Sequence, residues 1–144
     1  MIDLPVTLAT ASILGILYIV LSAAVSAERN RSKVGFGTGT DASVALGAEH
    51  QAPRLLVAVR RHGHFAEYVP ISILLIMLLE LRQAERLWLI ALAGVLILSR
   101  LMIAFGMGRA APNVFRAGGN VLQWLMILAA SIYGLVLVIG SFLS

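Results

Sequence analysis

The chain has 144 residues, of which 60% are hydrophobic and 12% charged, with a mean hydropathy of +0.94. An average soluble domain has roughly 45–50% apolar and about 25% charged residues, so the composition excludes a soluble globular protein and reads as an integral membrane protein. At about 20 apolar residues per helical crossing, this length holds four spans and no separate soluble domain.

There is no cysteine, which excludes a disulfide framework and any Cys-based metal or nucleophile site; thiol chemistry would need a thiol brought by a ligand. A net charge of +4 would point to nucleic acid in a soluble protein. In a membrane protein the basic residues report topology instead, and no nucleic-acid partner is expected.

The first predicted span covers residues 4–27, which carry no charge and would rise about 36 Å as a helix. Only Asp3 precedes it, and the run is too long for the apolar core of a signal peptide, so it is expected to be mature structure. Ala9, Gly15, Ser22 and Ala23 are small enough for close helix approach.

A polar stretch from Glu28 to Lys33 follows, and then Gly35-Phe36-Gly37-Thr38-Gly39-Thr40. The alternating glycines lack the Gly-Lys-Ser/Thr ending and the preceding strand of a phosphate cradle, so they read as a plain loop. Residues 42–51 are small and mixed, helical towards their end, and Pro53 suits a helix start.

The second predicted span, residues 55–81, is not defined by hydropathy alone. The charge-free run from Tyr68 to Leu79 is only about 18 Å of helix, too short to cross. The helix must therefore include Glu67 and His64 and begin before Arg60. With Arg60 at zero on a helical wheel, His64 falls near about 40°, Glu67 about 340°, Tyr68 about 80° and Arg61 about 100°, all on one face. Pro70 is tolerated because membrane helices absorb a kink through neighbours or water.

Glu80 to Arg86 forms a short charged turn before the third predicted span, residues 87–107, which contains Arg100. In an antiparallel hairpin Glu67 and Arg100 would both lie about 20 Å from that turn. Matching depths predict a Glu67–Arg100 ion pair or a shared polar pocket, because intramembrane charges are tolerated by pairing. Such a pair serves either function or helix register.

Gly108 to Arg116 is a second basic connection in which Pro112 and Asn113 signal a helix entry. The fourth predicted span, residues 117–142, is free of charge. Gly118 and Gly119 permit close backbone approach near its start, and Trp124 reads either as an interfacial anchor or as lipid-facing bulk.

Arg29, Arg31, Lys33, Arg54, Arg60, Arg61, Arg109 and Arg116 all fall on the side of the first and third connections. The positive-inside rule predicts that these connections face the cytoplasm and both termini the opposite side. The cluster from Arg60 to Tyr68 then sits at the cytoplasmic boundary, open to soluble anions and to apolar compounds from the lipid. Guanidinium groups would take the carboxylates of a small zwitterion and Glu67 its ammonium, features that glutathione has. A thiol placed near an arginine or a helix N-terminus would fall below its ordinary pKa of about 8.5, and Arg116 at the start of the fourth helix is the residue expected to hold the thiolate.

The second span, Arg60-x-x-x-His64-x-x-Glu67-Tyr68-x-Pro70 with an apolar run ending in Glu80, resembles the MAPEG family of membrane-associated proteins in eicosanoid and glutathione metabolism. The four spans, the basic and glycine-rich loop after the first, and Arg100 with Gly106 in the third extend the likeness. The resemblance implies an all-α bundle of four transmembrane helices, a homotrimer, and glutathione bound as co-substrate between protomers. It also implies glutathione transferase or peroxidase activity on hydrophobic small molecules, in an inner membrane if the source is bacterial. By position it assigns glutathione binding to Arg60, Glu67 and Tyr68, with Arg29 or Arg31 as the basic residues after the first span and Arg116 as thiol-activating. The chain departs from the family pattern at His64, where asparagine is usual, at Ile103, where histidine or tyrosine is frequent, and at Met107, where eukaryotic members have an aromatic residue.

His64 reads as a hydrogen-bonding substitute for asparagine first, and otherwise as a glutathione contact or a general base. His62 points away from the cluster, towards solvent or headgroups, and His50 lies in the loop. Three histidines without fixed spacing and without cysteine predict no metal site. The alternative to an enzyme is a binding or scaffold protein that keeps the fold without catalysis. A four-span exporter would need an embedded carboxylate that the first span lacks.

Overall fold

The computed structural model describes residues 3–38, 53–110 and 112–143. Its elements are helices α1 (Pro5–Ser32), α2 (Arg54–Leu81), α3 (Arg86–Gly106) and α4 (Val114–Leu143). Each is long and apolar enough to cross a membrane, and the described residues contain no strand. His50 and residues 42–51, with their expected helical turn, lie outside the described residues.

Local chemistry sets the helix ends. Pro5 takes the first position of α1, where a missing N–H is harmless. The helix runs past residue 27 to Ser32, where Lys33 in the left-handed conformation returns its N–H to the carbonyl of Arg29. Arg29 and Arg31 in the last turn complement the negative end of the helix dipole. At the start of α4 Asn113 acts as the expected cap: its Oδ1 accepts from the N–H groups of Phe115 at 3.0 Å and Arg116 at 3.3 Å.

The first turn of α1 is closed from a distance. No side chain of its own caps it. Instead the Glu80 carboxylate, at the end of α2, accepts from the N–H of Val6 at 2.9 Å and of Thr7 at 2.8 Å. Glu80 is therefore more than part of a charged turn: it places a negative charge on the positive end of α1 and satisfies two otherwise unpaired donors. Similarly, the Glu85 N–H donates to the Tyr133 hydroxyl at 3.1 Å, tying the start of α3 to α4.

The helices pair most extensively as α1 with α2 and α3 with α4, and α2 also packs on both α3 and α4. The core runs through Leu14, Ile76, Leu96, Met126 and Ala130, all essentially inaccessible. Leu8, Ile16, Ile19, Trp88 and Leu128 are exposed on the outside. Trp124, 59% exposed and well inside α4, belongs to that apolar outer face. An apolar exterior around a partly polar interior suits lipid as solvent.

Two glycines are required where α3 meets α4. A Cβ on Gly106 would lie 2.6 Å from the backbone nitrogen of Arg116, and one on Gly119 would lie 2.7 Å from Ile103 Cγ1 and 3.0 Å from the Ser99 carbonyl. Gly118 faces only the flexible end of Met102. Of the two glycines expected to allow close approach, Gly119 is the one that the backbone contact demands.

Candidate functional site

The buried stripe of α2 runs through Phe65, Val69, Ser72, Ile76 and Leu79. On the helical wheel this places His64 and Tyr68 beside the stripe and Glu67 about 160° from its centre. Glu67 and Arg60 are accordingly exposed on the outer face of α2, while His64 and Tyr68 are half-buried.

Arg100 of α3 is 2% exposed and is the largest fully buried side chain among the described residues. Its Nη1 lies 3.2 Å from His64 Nδ1 and 3.5 Å from the His64 carbonyl oxygen. The guanidinium sits 5.7 Å from the centre of the Tyr68 ring, and the His64 and Tyr68 rings stack at 4.8 Å. Arginine only donates, so Nδ1 accepts and the imidazole proton is on Nε2. Asn120 of α4 is a polar neighbour of the same imidazole.

The expected Glu67–Arg100 ion pair does not form. Arg100 meets His64, Ser99 and Tyr68 instead, and none of its contacts among the described residues is a carboxylate. The depths along the helices match, but Glu67 leaves α2 on the side opposite the packed face.

A chain of polar contacts continues from Arg100 across the bundle. Ser99 Oγ accepts weakly from Arg100 Nε at 3.4 Å and lies 2.7 Å from the Leu96 carbonyl and 3.0 Å from Gln123 Oε1, to either of which it can donate. Gln123 Nε2 donates to Ser72 Oγ at 2.7 Å, and Ser72 Oγ donates to the Tyr68 carbonyl at 2.8 Å. Ser72, Ser99 and Gln123 are completely buried. Through Gln123, α4 thus joins α2 to α3 in apolar surroundings where each unpaired polar group is costly. Sequence reading missed these residues, although Asn120 and Gln123 are the amide side chains set one turn apart in an otherwise apolar, charge-free span.

Three polar atoms near this end of the bundle are left over. Arg100 Nη2, Arg61 Nε and His62 Nε2 are buried without a partner among the described residues. Arg61 and Arg100 line the same narrow gap with Leu21, Phe65 and Ile103. A buried cation without a carboxylate partner among the described residues is electrostatically incomplete.

Arg116 occupies the first turn of α4, half-buried, and its charge, like those of Arg100 and Glu67, reaches His64. The fold therefore sets Tyr68 against His64 with Arg116 at the same end of the bundle, while Glu67 and Arg60 lie on the exposed face of α2. Arg29 and Arg31 are not part of this group within the chain. Arg29 donates to the carbonyls of Val34 and Gly37, shaping the glycine loop, and Arg31 pairs with Glu28 at 2.9 Å. His62 is not a solvated residue: its ring packs 4.8 Å from Tyr18 of α1. Ile103 is buried beside Arg100, so this part of the third span is apolar.

Comparison with known proteins identifies the family. The chain is 35% identical over 77 residues to the inner membrane protein YecN of Escherichia coli strain K12, an alignment covering 50% of this chain and 57% of that protein. The same identity and coverage are found with YecN of E. coli O6:H1. The chain thus spans little more than half the length of the curated relatives it matches. No solved structure matches. The family comparison reaches much further, matching residues 7–136 and so all four helices, including His64, Tyr68, Arg100 and Arg116. By fold and by sequence, the chain is an integral multi-pass membrane protein that belongs to the MAPEG family.

Proposed function

We propose that the protein is a glutathione-dependent membrane transferase or peroxidase that acts on hydrophobic electrophiles and works as a homotrimer. The observation that carries this reading is the buried Arg100 guanidinium, held by neutral His64 and without a carboxylate, next to Tyr68 and near Arg116. Such a site is short of negative charge, and glutathione brings two carboxylates and an ionisable thiol. Glu67, exposed on the same helix, is available for its ammonium. Arg60 is exposed for a carboxylate, and Arg29 and Arg31, remote within one protomer, would act on a neighbour's site in a trimer.

Arg116 combines a guanidinium with the first turn of α4, where helix N–H groups also favour negative charge. A thiol held there loses its proton more readily and becomes the nucleophile. In transfer, the thiolate sulfur forms a bond to the electrophilic carbon and the leaving group departs with its electron pair. In peroxide reduction, two glutathione molecules are oxidised to the disulfide while the peroxide becomes alcohol and water. The arginine-rich end of the bundle faces the cytoplasm in this account, supplying glutathione from water while the apolar substrate arrives through lipid.

Turnover of a model aryl halide by detergent-purified protein with glutathione tests the activity. Arg116→Ala is expected to lower kcat at least tenfold while the oligomer persists, and undiminished turnover would remove Arg116 from the role. A second reading, a non-catalytic protein of the same fold, is favoured by buried Ile103 and by the Ser72–Gln123–Ser99 contacts, which have the form of a register device. It predicts a stable oligomer without turnover.

A further inference from the structure

A second basic site lies at the same end of the bundle, where the last turns of α1, the first turns of α2 and the end of α3 enclose a groove of about 480 Å³. Arg54, Arg61 and Arg109 line it together with Glu28, and Val57 and Phe105 contribute an apolar wall. None of Arg60, His64, Glu67, Tyr68 or Arg116 lines it, and Arg61 stands between it and the gap beside Arg100.

The groove is built rather than incidental. Arg61 is fixed by donating from Nη2 to the Met107 carbonyl at 2.7 Å, yet its Nε is buried and lacks an acceptor. Gly108 holds the wall back: its φ is +88°, and a Cβ there would stand 2.9 Å from Val57 Cγ1 and 3.8 Å from Arg61 Nη2. Arg54 and Arg109 are exposed at the rim. The one carboxylate lining it among the described residues, Glu28, also accepts from Arg31 at 2.9 Å. Among the described residues, three guanidinium groups therefore line a cavity with one acidic side chain, a net excess of positive charge. Phe105 is 66% exposed on the lipid side, which continues the cationic groove into an apolar surface.

We propose that this groove binds a phosphate group, that of an anionic phospholipid, with its oxygens among Arg54, Arg61 and Arg109 and an acyl chain along Phe105. Basic pockets between transmembrane helices at the headgroup level suit such lipids, and the arginine fork matches phosphate geometry. The ligand chemistry is a phosphate ester, and the apolar continuation favours lipid over a free phosphate.

Native mass spectrometry of the detergent-purified full chain, mixed with phosphatidylglycerol or phosphatidylcholine, tests this. The parent is expected to retain phosphatidylglycerol preferentially, and the Arg54→Gln/Arg109→Gln variant to bind it about 30-fold more weakly, each cation contributing about fivefold. Both substitutions are at exposed positions, and the equivalent pair Arg82→Gln/Arg86→Gln at the other end of the bundle should change nothing. Equal retention of the two lipids by the parent, or parent-like retention by the Arg54/Arg109 variant, would overturn the proposal. Displacement by millimolar inorganic phosphate would keep the phosphate site but assign it to free phosphate. Displacement by millimolar glutathione would overturn it and give the groove to glutathione.

Discussion

Arg100 and His64 face each other across the α2–α3 contact with Nη1 3.2 Å from Nδ1, a charged donor on a neutral acceptor inside a membrane bundle. The pair fixes the imidazole tautomer and leaves Nη2 of the arginine unpartnered. Replacing His64 by Leu should therefore lower stability by about 2–3 kcal/mol, the loss expected when a buried charged donor loses its acceptor. His64→Asn keeps an acceptor and should stay within about 1 kcal/mol of the parent. Unfolding midpoints in one detergent compare the three proteins; a fully stable His64→Leu protein would show that the contact carries little.

Glu67 should behave in the opposite way. Because Arg100 does not meet it, Glu67→Gln is expected to change stability by less than about 0.5 kcal/mol, as for an exposed substitution. Under the proposed function the same change weakens glutathione binding, since the carboxylate for the ammonium is gone. Strong destabilisation by Glu67→Gln would restore the ion pair that the helix geometry excludes.

The Glu67 case shows where sequence reading reaches and where it stops. Hydropathy and helical rise fix depth, so the need to carry His64 and Glu67 inside the second span follows from the shortness of the run Tyr68 to Leu79. Azimuth depends on which stripe of α2 packs inward. That signal was present in Phe65, Val69, Ile76 and Leu79, and it turns Glu67 outward. Gln123 and Glu80 were harder to foresee, because their partners are distant in sequence: Ser72 stands 51 residues from Gln123, and Val6 74 residues from Glu80. Only folding makes those contacts, whereas Asn113 acts within its own turn and could be read directly.

Glu80 offers a clean test of long-range capping. Glu80→Gln removes the charge from the N-terminus of α1 while leaving one acceptor, and should cost about 1–2 kcal/mol. Amide exchange at Val6 and Thr7 should accelerate before the rest of α1 responds. Unaltered protection of both amides would mean that solvent or headgroups serve that end equally well.

The α3–α4 crossing predicts an asymmetry between adjacent glycines. Gly119→Ala places a methyl against Ile103 and the backbone of Ser99, and should destabilise by about 1–3 kcal/mol, as overpacking does. Gly118→Ala meets only the Met102 methyl and should be close to neutral. Thermal midpoints of the two variants decide it, and equal values would show that the helices separate freely there.

The central claim is that the cationic centre around His64, Arg100 and Arg116 receives glutathione as a thiolate. Titration of the purified protein with glutathione, followed by the ultraviolet absorbance of the thiolate at neutral pH, measures this directly. The account predicts a saturable thiolate signal at or below millimolar glutathione, reduced in Glu67→Gln and lost in Arg116→Ala. A parent protein that shows neither binding nor thiolate at millimolar glutathione would contradict it.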